Sequence, residues 1–206
     1  MSKGIVFVVA HPDDVEINAG GTVYNMCKKY GAVKVIICAE CGEERKEEAY
    51  KALKHLGVEP HEVVFLEGHQ DTQLCERLLA VELDKHLGGA HSIYTHHPHD
   101  THQDHRAVSW AVQSAGRKCF NVFFFTGTYP SGRVYDGVQA NSVALFDGVA
   151  ATRKELALLE HKSQAVKYGL DKWVEAILSG NKADAWKYGG VHGYAEVFQC
   201  ARMRIM

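Results

Sequence analysis

A chain of 206 residues, 46% apolar and 23% charged, has the size and composition of an ordinary soluble α/β domain with a substantial core. A net charge of −2 without a basic stripe speaks against a nucleic-acid binder, and no apolar run approaches the roughly 20 residues that cross a bilayer. The apolar run 4–10 passes straight into His11-Pro12-Asp13-Asp14 with no small-residue cleavage site. It therefore reads as a first strand and not an export signal, and the expected location is cytoplasmic.

In chain order, Ile5–Val9 is a continuous β-rich run, the pattern of a strand buried on both faces. A helical stretch follows to about Tyr30, stopped by Gly31. Val33–Cys38 reads as the second strand, Glu43–Leu56 as a helix ended by Gly57, and Val63–Leu66 as the third strand. Gln73–Leu87 is helical and ends at Gly88-Gly89. Ser92–Thr95 is the fourth strand, His102–Ala115 a helix and Val122–Phe125 a further buried strand. The segment from Thr126 to Asn141, with its Gly, Pro, Ser and Tyr, reads as a long loop or hairpin. Thr152–Tyr168 and Asp171–Ser179 are helical, and Glu196–Met203 is a final strand. This alternation predicts an α/β fold of Rossmann-like class, a mainly parallel sheet with helices on both faces. With no repeat, low-complexity tract or linker, residues 1–206 read as one domain.

In such sheets ligands bind outside the carboxyl ends of the strands. Two polar clusters follow strands directly. The first is His11-Pro12-Asp13-Asp14. Its adjacent carboxylates repel one another and call for a positive partner such as a metal, although Asp is also a common helix cap. The second holds five of the thirteen histidines, at 96, 97, 99, 102 and 105. If His102 begins a helix, His105 lies one turn on, on nearly the same face; a solvated His-rich loop fits the same composition. The Cys38-x-x-Cys41 pair has no second pair of similar spacing, as a structural zinc site requires, and reads as reduced thiols at a strand end.

The segments Ala10-His11-Pro12-Asp13-Asp14-Val15-Glu16, Ala19-Gly20-Gly21-Thr22 and Thr101-His102-Gln103-Asp104-His105-Arg106-Ala107-Val108 together resemble the LmbE-like or PIG-L family of zinc-dependent N-deacetylases. Arg45 and Glu48, Leu159-Glu160-His161-Lys162-Ser163-Gln164 and Tyr194-Ala195-Glu196-Val197-Phe198 extend the resemblance over almost the whole chain. It implies that His11, Asp14 and His105 hold zinc, that Asp13 is the general base, and that His102, as an imidazolium, assists the tetrahedral intermediate. It also implies that Asp104 orients a neighbouring histidine. Three protein ligands leave a fourth position for water, whose pKa zinc lowers from about 16 toward about 7. Ferrous iron suits the same donors. The implied substrate is a small N-acetylated sugar conjugate such as an N-acetylglucosamine derivative, and homo-oligomers are frequent in the family.

Two departures lie toward the site's rim. The stretch Cys41-Gly42-Glu43-Glu44 is shorter than the family's glycine-containing loop, and Leu145-Phe146-Asp147-Gly148 stands where the family has F-V-D-I. Arg45 is a candidate substrate contact, or a surface partner of Glu48 at i,i+3. Gly20-Gly21-Thr22 lacks the G-x-G-x-x-G spacing of a dinucleotide site and fits close helix–sheet packing better. A non-catalytic sugar-binding relative would have lost a ligand or the base, and here every such position is filled. Hydrolysis of another N-acyl or thiol-conjugate amide of a related sugar is the principal alternative.

Overall fold

The computed structural model describes residues 4–126, 139–169 and 172–204. Seven strands form one sheet, β1 (Gly4–Val9), β2 (Lys34–Ile37), β3 (Val63–Phe65), β4 (Ala90–Thr95), β5 (Asn121–Phe125), β6 (Ser142–Phe146) and β7 (Tyr194–Arg202), in the order β3-β2-β1-β4-β5-β7-β6. The first five are mutually parallel, while β7 runs antiparallel to both β5 and β6. This is the mainly parallel α/β sheet that the alternation predicts. Strand order reverses between β1 and β4, so their carboxyl ends splay apart and leave a crevice.

The helices are α1 (Asp14–Tyr30), α2 (Glu43–His55), α3 (Glu76–His86), α4 (Gln103–Ala115), α5 (Gly148–Leu159), α6 (Lys162–Tyr168) and α7 (Lys172–Gly189). Alternate residues of the central strands feed two cores. Phe7, Val9, Val35, Ile37 and Tyr94 pack with Val15 and Val23 of α1, Leu53 of α2 and Ala157 of α5. Val6, Val8, Ile36 and Ile93 pack on the opposite face with Leu79 and Leu83 of α3 and Val108 and Val112 of α4. Gly31 (φ +86) ends α1, its amide donating to the Cys27 carbonyl, and Gly57 (φ +85) follows α2, as their sequence positions predict. Among the described residues no helix is long and apolar enough to cross a membrane.

Four differences from the sequence expectations have local causes. Helix α3 starts at Glu76 and not Gln73, because the Thr72 and Leu74 amides are bound to the Asp104 carboxylate. The helix expected over Thr152–Tyr168 is two, since His161 is held in a non-helical conformation (ψ 59) where its ring meets Glu16. Helix α7 runs through Gly180 to Gly189. Burial of Trp173, Val174 and Ile177, about 1.5–3 kcal/mol each, outweighs the roughly 1 kcal/mol of a mid-helix glycine. The edge strand β6 was not anticipated; most of the loop or hairpin expected before it, residues 127–138, lies outside the described residues.

Candidate metal centre

Both polar clusters lie at the crevice where the strand order reverses. The chain leaves β1 at Val9 and β4 at Thr95, and the Ala10 amide donates to His96 Nε2 at 2.9 Å, tying the two exits together. That nitrogen therefore carries a lone pair and no proton. Burial drives the same way, assisted by the neighbouring His105, and lowers the His96 pKa to about 4. Its 3.3 Å approach to Asp14 Oδ2 is then a contact between neighbours and not an ion pair.

Among the described residues three sets of side chains place ligand atoms within 4.8 Å of one another: His11, Asp14 and His105; His11, His102 and Asp104; and His96, Asp100 and His105. Hydrogen bonding separates them. In the last set His96 Nε2 is taken by Ala10, and His105 Nδ1 stands 2.9 Å from Asp100 Oδ2. In the middle set His102 Nδ1 accepts the Asp104 amide, and the Asp104 carboxylate accepts the Thr72 and Leu74 amides and meets His11 Nε2 at 3.3 Å. In the first set two imidazole nitrogens and a carboxylate face each other. His105 Nε2 is 3.4 Å from His11 Nδ1 and 3.4 Å from Asp14 Oδ1, and His11 Nδ1 is 3.5 Å from Asp14 Oδ2. Zinc bonds of about 2.0–2.1 Å give a tetrahedron with edges of about 3.3–3.4 Å. The two imidazole nitrogens stand one such edge apart, with one oxygen of the Asp14 carboxylate at a similar distance from each, Oδ1 from His105 and Oδ2 from His11, and Oδ2 also accepts the His11 backbone amide at 2.7 Å.

The outer nitrogen of each inward-facing histidine is held by a carboxylate, the arrangement that fixes tautomer and ring direction in metal sites. Asp100 serves His105, while Asp104 and Asp71 serve His11, with His11 Nε2 to Asp71 Oδ1 at 3.2 Å. Burial penalises charge on His11, yet the hydrogen bonds to Asp104 and Asp14 outweigh it and lift the pKa to about 10. Burial likewise penalises charge on Asp14, but His105, with a further hydrogen bond from His11, holds it well below the ordinary carboxylate value. So strong a pull on a proton marks a negative potential suited to a divalent cation.

Asp13 is buried beside this set at the start of α1, where its side chain makes no capping hydrogen bond. Arg45 Nη2 lies 3.6 Å from Asp13 Oδ1 and its Nη1 3.9 Å from Asp71. Asp13 Oδ2 has no hydrogen-bond partner among the described residues. The alternative pairing of Arg45 with Glu48 does not occur. Glu48 instead accepts the Ser163 amide at 2.7 Å and its hydroxyl at 2.6 Å. His102 caps α4, its ring centroid 5.0 Å from that of His11 and 4.7 Å from that of His105. Burial first, then the adjacent His105 and His11, lower its pKa.

The crevice thus brings together His11, Asp13, Asp14, Arg45, His102, Asp104 and His105. Sequence reasoning missed Asp71, His96 and Asp100 as partners in it. Asp100 follows His99 in the histidine-rich segment and stands five residues before His105, a signal readable only once β4 and α4 are placed. Asp71 lies two residues before the expected helix start at Gln73 and carries no such signal. His97 instead meets Gln199 of β7 at 3.0 Å. The six cysteines are free thiols, with Cys38 buried.

The model of the PIG-L family, GlcNAc-PI de-N-acetylase, matches residues 6–116, over half the chain and both metal-motif segments. A protein of Escherichia coli K12 described as the uncharacterized deacetylase YaiS is 33% identical over 129 residues, 56% of this chain and 69% of its own. Three solved structures share the fold. The conserved protein TT1542 of Thermus thermophilus has a TM-score of 0.78 at 22% identity, covering 100% of this chain and 97% of its own. The N,N'-diacetylchitobiose deacetylase of Pyrococcus horikoshii has 0.76 at 18%, covering 97% and 84%. GalB, the 4-carboxy-2-hydroxymuconate hydratase of Pseudomonas putida KT2440, has 0.75 at 18%, covering 99% and 98%. With the two motifs joined at one crevice and the family model spanning both, the chain belongs to the PIG-L family of GlcNAc-PI de-N-acetylases.

Proposed function

We propose that this chain is a zinc-dependent N-deacetylase that hydrolyses the acetamide of an N-acetylated amino sugar, releasing acetate and a free amine. The observation that carries the reading is the convergence of His11 Nδ1, His105 Nε2 and the Asp14 carboxylate at 3.4–3.5 Å beside the buried Asp13. Because the same fold also serves a hydratase, the fold alone does not select the reaction. Membership of a de-N-acetylase family and the 33% identical relative described as a deacetylase favour amide hydrolysis.

His11, Asp14 and His105 would hold the ion, and ferrous iron would suit the same donors. When bound, the metal polarises the acetamide carbonyl and makes water a better nucleophile. Asp13 takes up the proton of the attacking water at Oδ2, while Arg45 steadies Oδ1. Since His102 Nδ1 accepts a backbone amide, its proton sits on Nε2. The depressed pKa makes it a neutral donor to the developing oxyanion, where the sequence reading expects an imidazolium. Asp13 then returns its proton to the departing amine. Asp104 keeps His11 in the tautomer that offers Nδ1. Arg45, about one-fifth exposed, reaches from the base to Asp71 and contacts a sugar hydroxyl or a charged aglycone.

The test is acetate release from a panel of N-acetylglucosamine conjugates by protein stripped of metal and resupplied with zinc or ferrous iron. Metal-dependent acetate supports the proposal, and the best conjugate identifies the aglycone. Release of a different acid from other N-acyl conjugates, with none of acetate, replaces it by the wider amidase reading. Tight metal binding without any hydrolysis overturns it.

A further inference from the structure

Lys154 of α5 and Glu196 of β7 take no part in the proposed reaction, yet both are buried, at 0% and 2% exposure, and they form an ion pair of 2.7 Å. The pair lies at a break in α1, where Ala19 leaves helical geometry (φ −148, ψ 15). Such a break strips carbonyls of the preceding segment and amides of the following one of their helical partners. Here one ion pair supplies both. Lys154 Nζ donates to the Ile17 carbonyl at 3.0 Å, and Glu196 accepts the Gly21 amide at 3.0 Å and the Thr22 amide at 2.7 Å.

The Ala19-Gly20-Gly21-Thr22 motif is shaped to this pair. A Cβ on Gly20 would meet Lys154 Cγ at 2.9 Å, and one on Gly21 would meet the Phe146 ring at 2.7 Å. The segment before the break, Asp14 to Asn18, carries the Asp14 carboxylate, and the Asn18 side-chain Nδ2 donates to the Asp14 carbonyl at 2.8 Å. Its direction therefore decides where Asp13 and Asp14 stand relative to His11 and His105. A buried ion pair adds little stability over an apolar pair of equal volume. Its three directed bonds to the two halves of one helix do set the angle between them, which apolar contact leaves loose.

We propose that Lys154 and Glu196 are positioning residues for the metal centre, aiming the first segment of α1 so that Asp14 meets the two histidines and Asp13 stands beside them. The inference rests on the metal-dependent reading of the site. The test uses the full chain carrying Lys154→Met with Glu196→Gln, which removes both charges together, and separately Glu196→Asp, which keeps the charge and withdraws it from the Gly21 and Thr22 amides. Zinc affinity by chelator competition, melting temperature and hydrolysis per bound zinc are measured for each. Both variants should fold, bind zinc at least tenfold more weakly and turn over more slowly per bound zinc. If the double variant fails to fold, Glu196→Asp decides. Unaltered zinc affinity and rate per bound zinc in a variant that merely melts earlier would overturn the inference alone. Absence of zinc binding by the unsubstituted chain overturns the reading of the site, and this inference with it.

Discussion

Asp100 gives a sharp test of how the centre is built. Its Oδ2 lies 2.9 Å from His105 Nδ1 and its Oδ1 accepts the His102 amide at 2.8 Å, with the residue only 4% exposed. Asparagine at this position offers one acceptor oxygen where two are needed. Its NH2 group must face either the His105 ring N–H or the His102 amide, donor against donor. His105 escapes the conflict by moving its proton to Nε2, the nitrogen that faces His11 and Asp14. Asp100→Asn should therefore weaken zinc binding by the roughly 10–100-fold typical of a lost carboxylate–imidazole partner. That is about 1.4–2.8 kcal/mol at about 1.4 kcal/mol per decade. Titrating metal-free protein with zinc against a chromophoric chelator at neutral pH reads the change directly, with far-ultraviolet circular dichroism as the control for folding. A folded variant with unchanged affinity would refute the assignment of Nδ1 to Asp100 and Nε2 to the metal.

The division of roles predicts that Asp13→Ala retains zinc and loses turnover, whereas His11→Ala loses both; equal metal loss in the two, measured by elemental content after dialysis, removes the distinction between ligand and base. His102→Ala should still take up zinc and turn over roughly 10²–10³-fold more slowly, the usual cost of one oxyanion donor, and an unchanged kcat eliminates its role. Zinc uptake should also release protons. Burial opposes charge on His11, but Asp104 and Asp14 raise its pKa from 6.5 to about 10, so below pH 10 the metal must displace that proton. Apparent affinity then climbs with pH up to about 10. The same proton stabilises the metal-free fold fully below pH 6.5 and progressively less as pH rises through 10. Calorimetric titration in buffers of differing ionisation enthalpy should count at least one proton per zinc near neutrality, and a count of zero contradicts the placement.

Much of this centre was legible because each polar cluster follows a strand directly, His11 two residues past Val9 and His96 one past Thr95. Ile5–Val9 and Ser92–Thr95 announce themselves by β-branched and aromatic runs, and parallel strands in an alternating chain end on one rim. His11 and His105 could therefore be brought together without coordinates. Tautomers could not. Whether His105 offers Nδ1 or Nε2 depends on Asp100, and whether His96 is a ligand depends on the Ala10 amide, which no side-chain pattern records. The paired glycines pointed correctly to close packing but not to its cause. They make room for Lys154 and Phe146, residues more than a hundred positions away.

Arg45 and Glu48 mark where local reasoning fails and why. On an isolated helix the two are neighbours at i,i+3, and their pairing is worth about 0.2–0.5 kcal/mol. In the fold Glu48 is 8% exposed, and its carboxylate takes both the amide and the hydroxyl of Ser163. Hydrogen bonds to a charged group contribute about 1.5–3 kcal/mol each. The tertiary arrangement therefore wins by several-fold, and Arg45 is released to turn toward Asp13 and Asp71. The same two bonds fasten the start of α6 to α2, and the residue preceding α6, His161, carries its ring to within 3.6 Å of Glu16. The segment Leu159–Gln164 thus ties α6 to α2 through Ser163 and to α1 through His161.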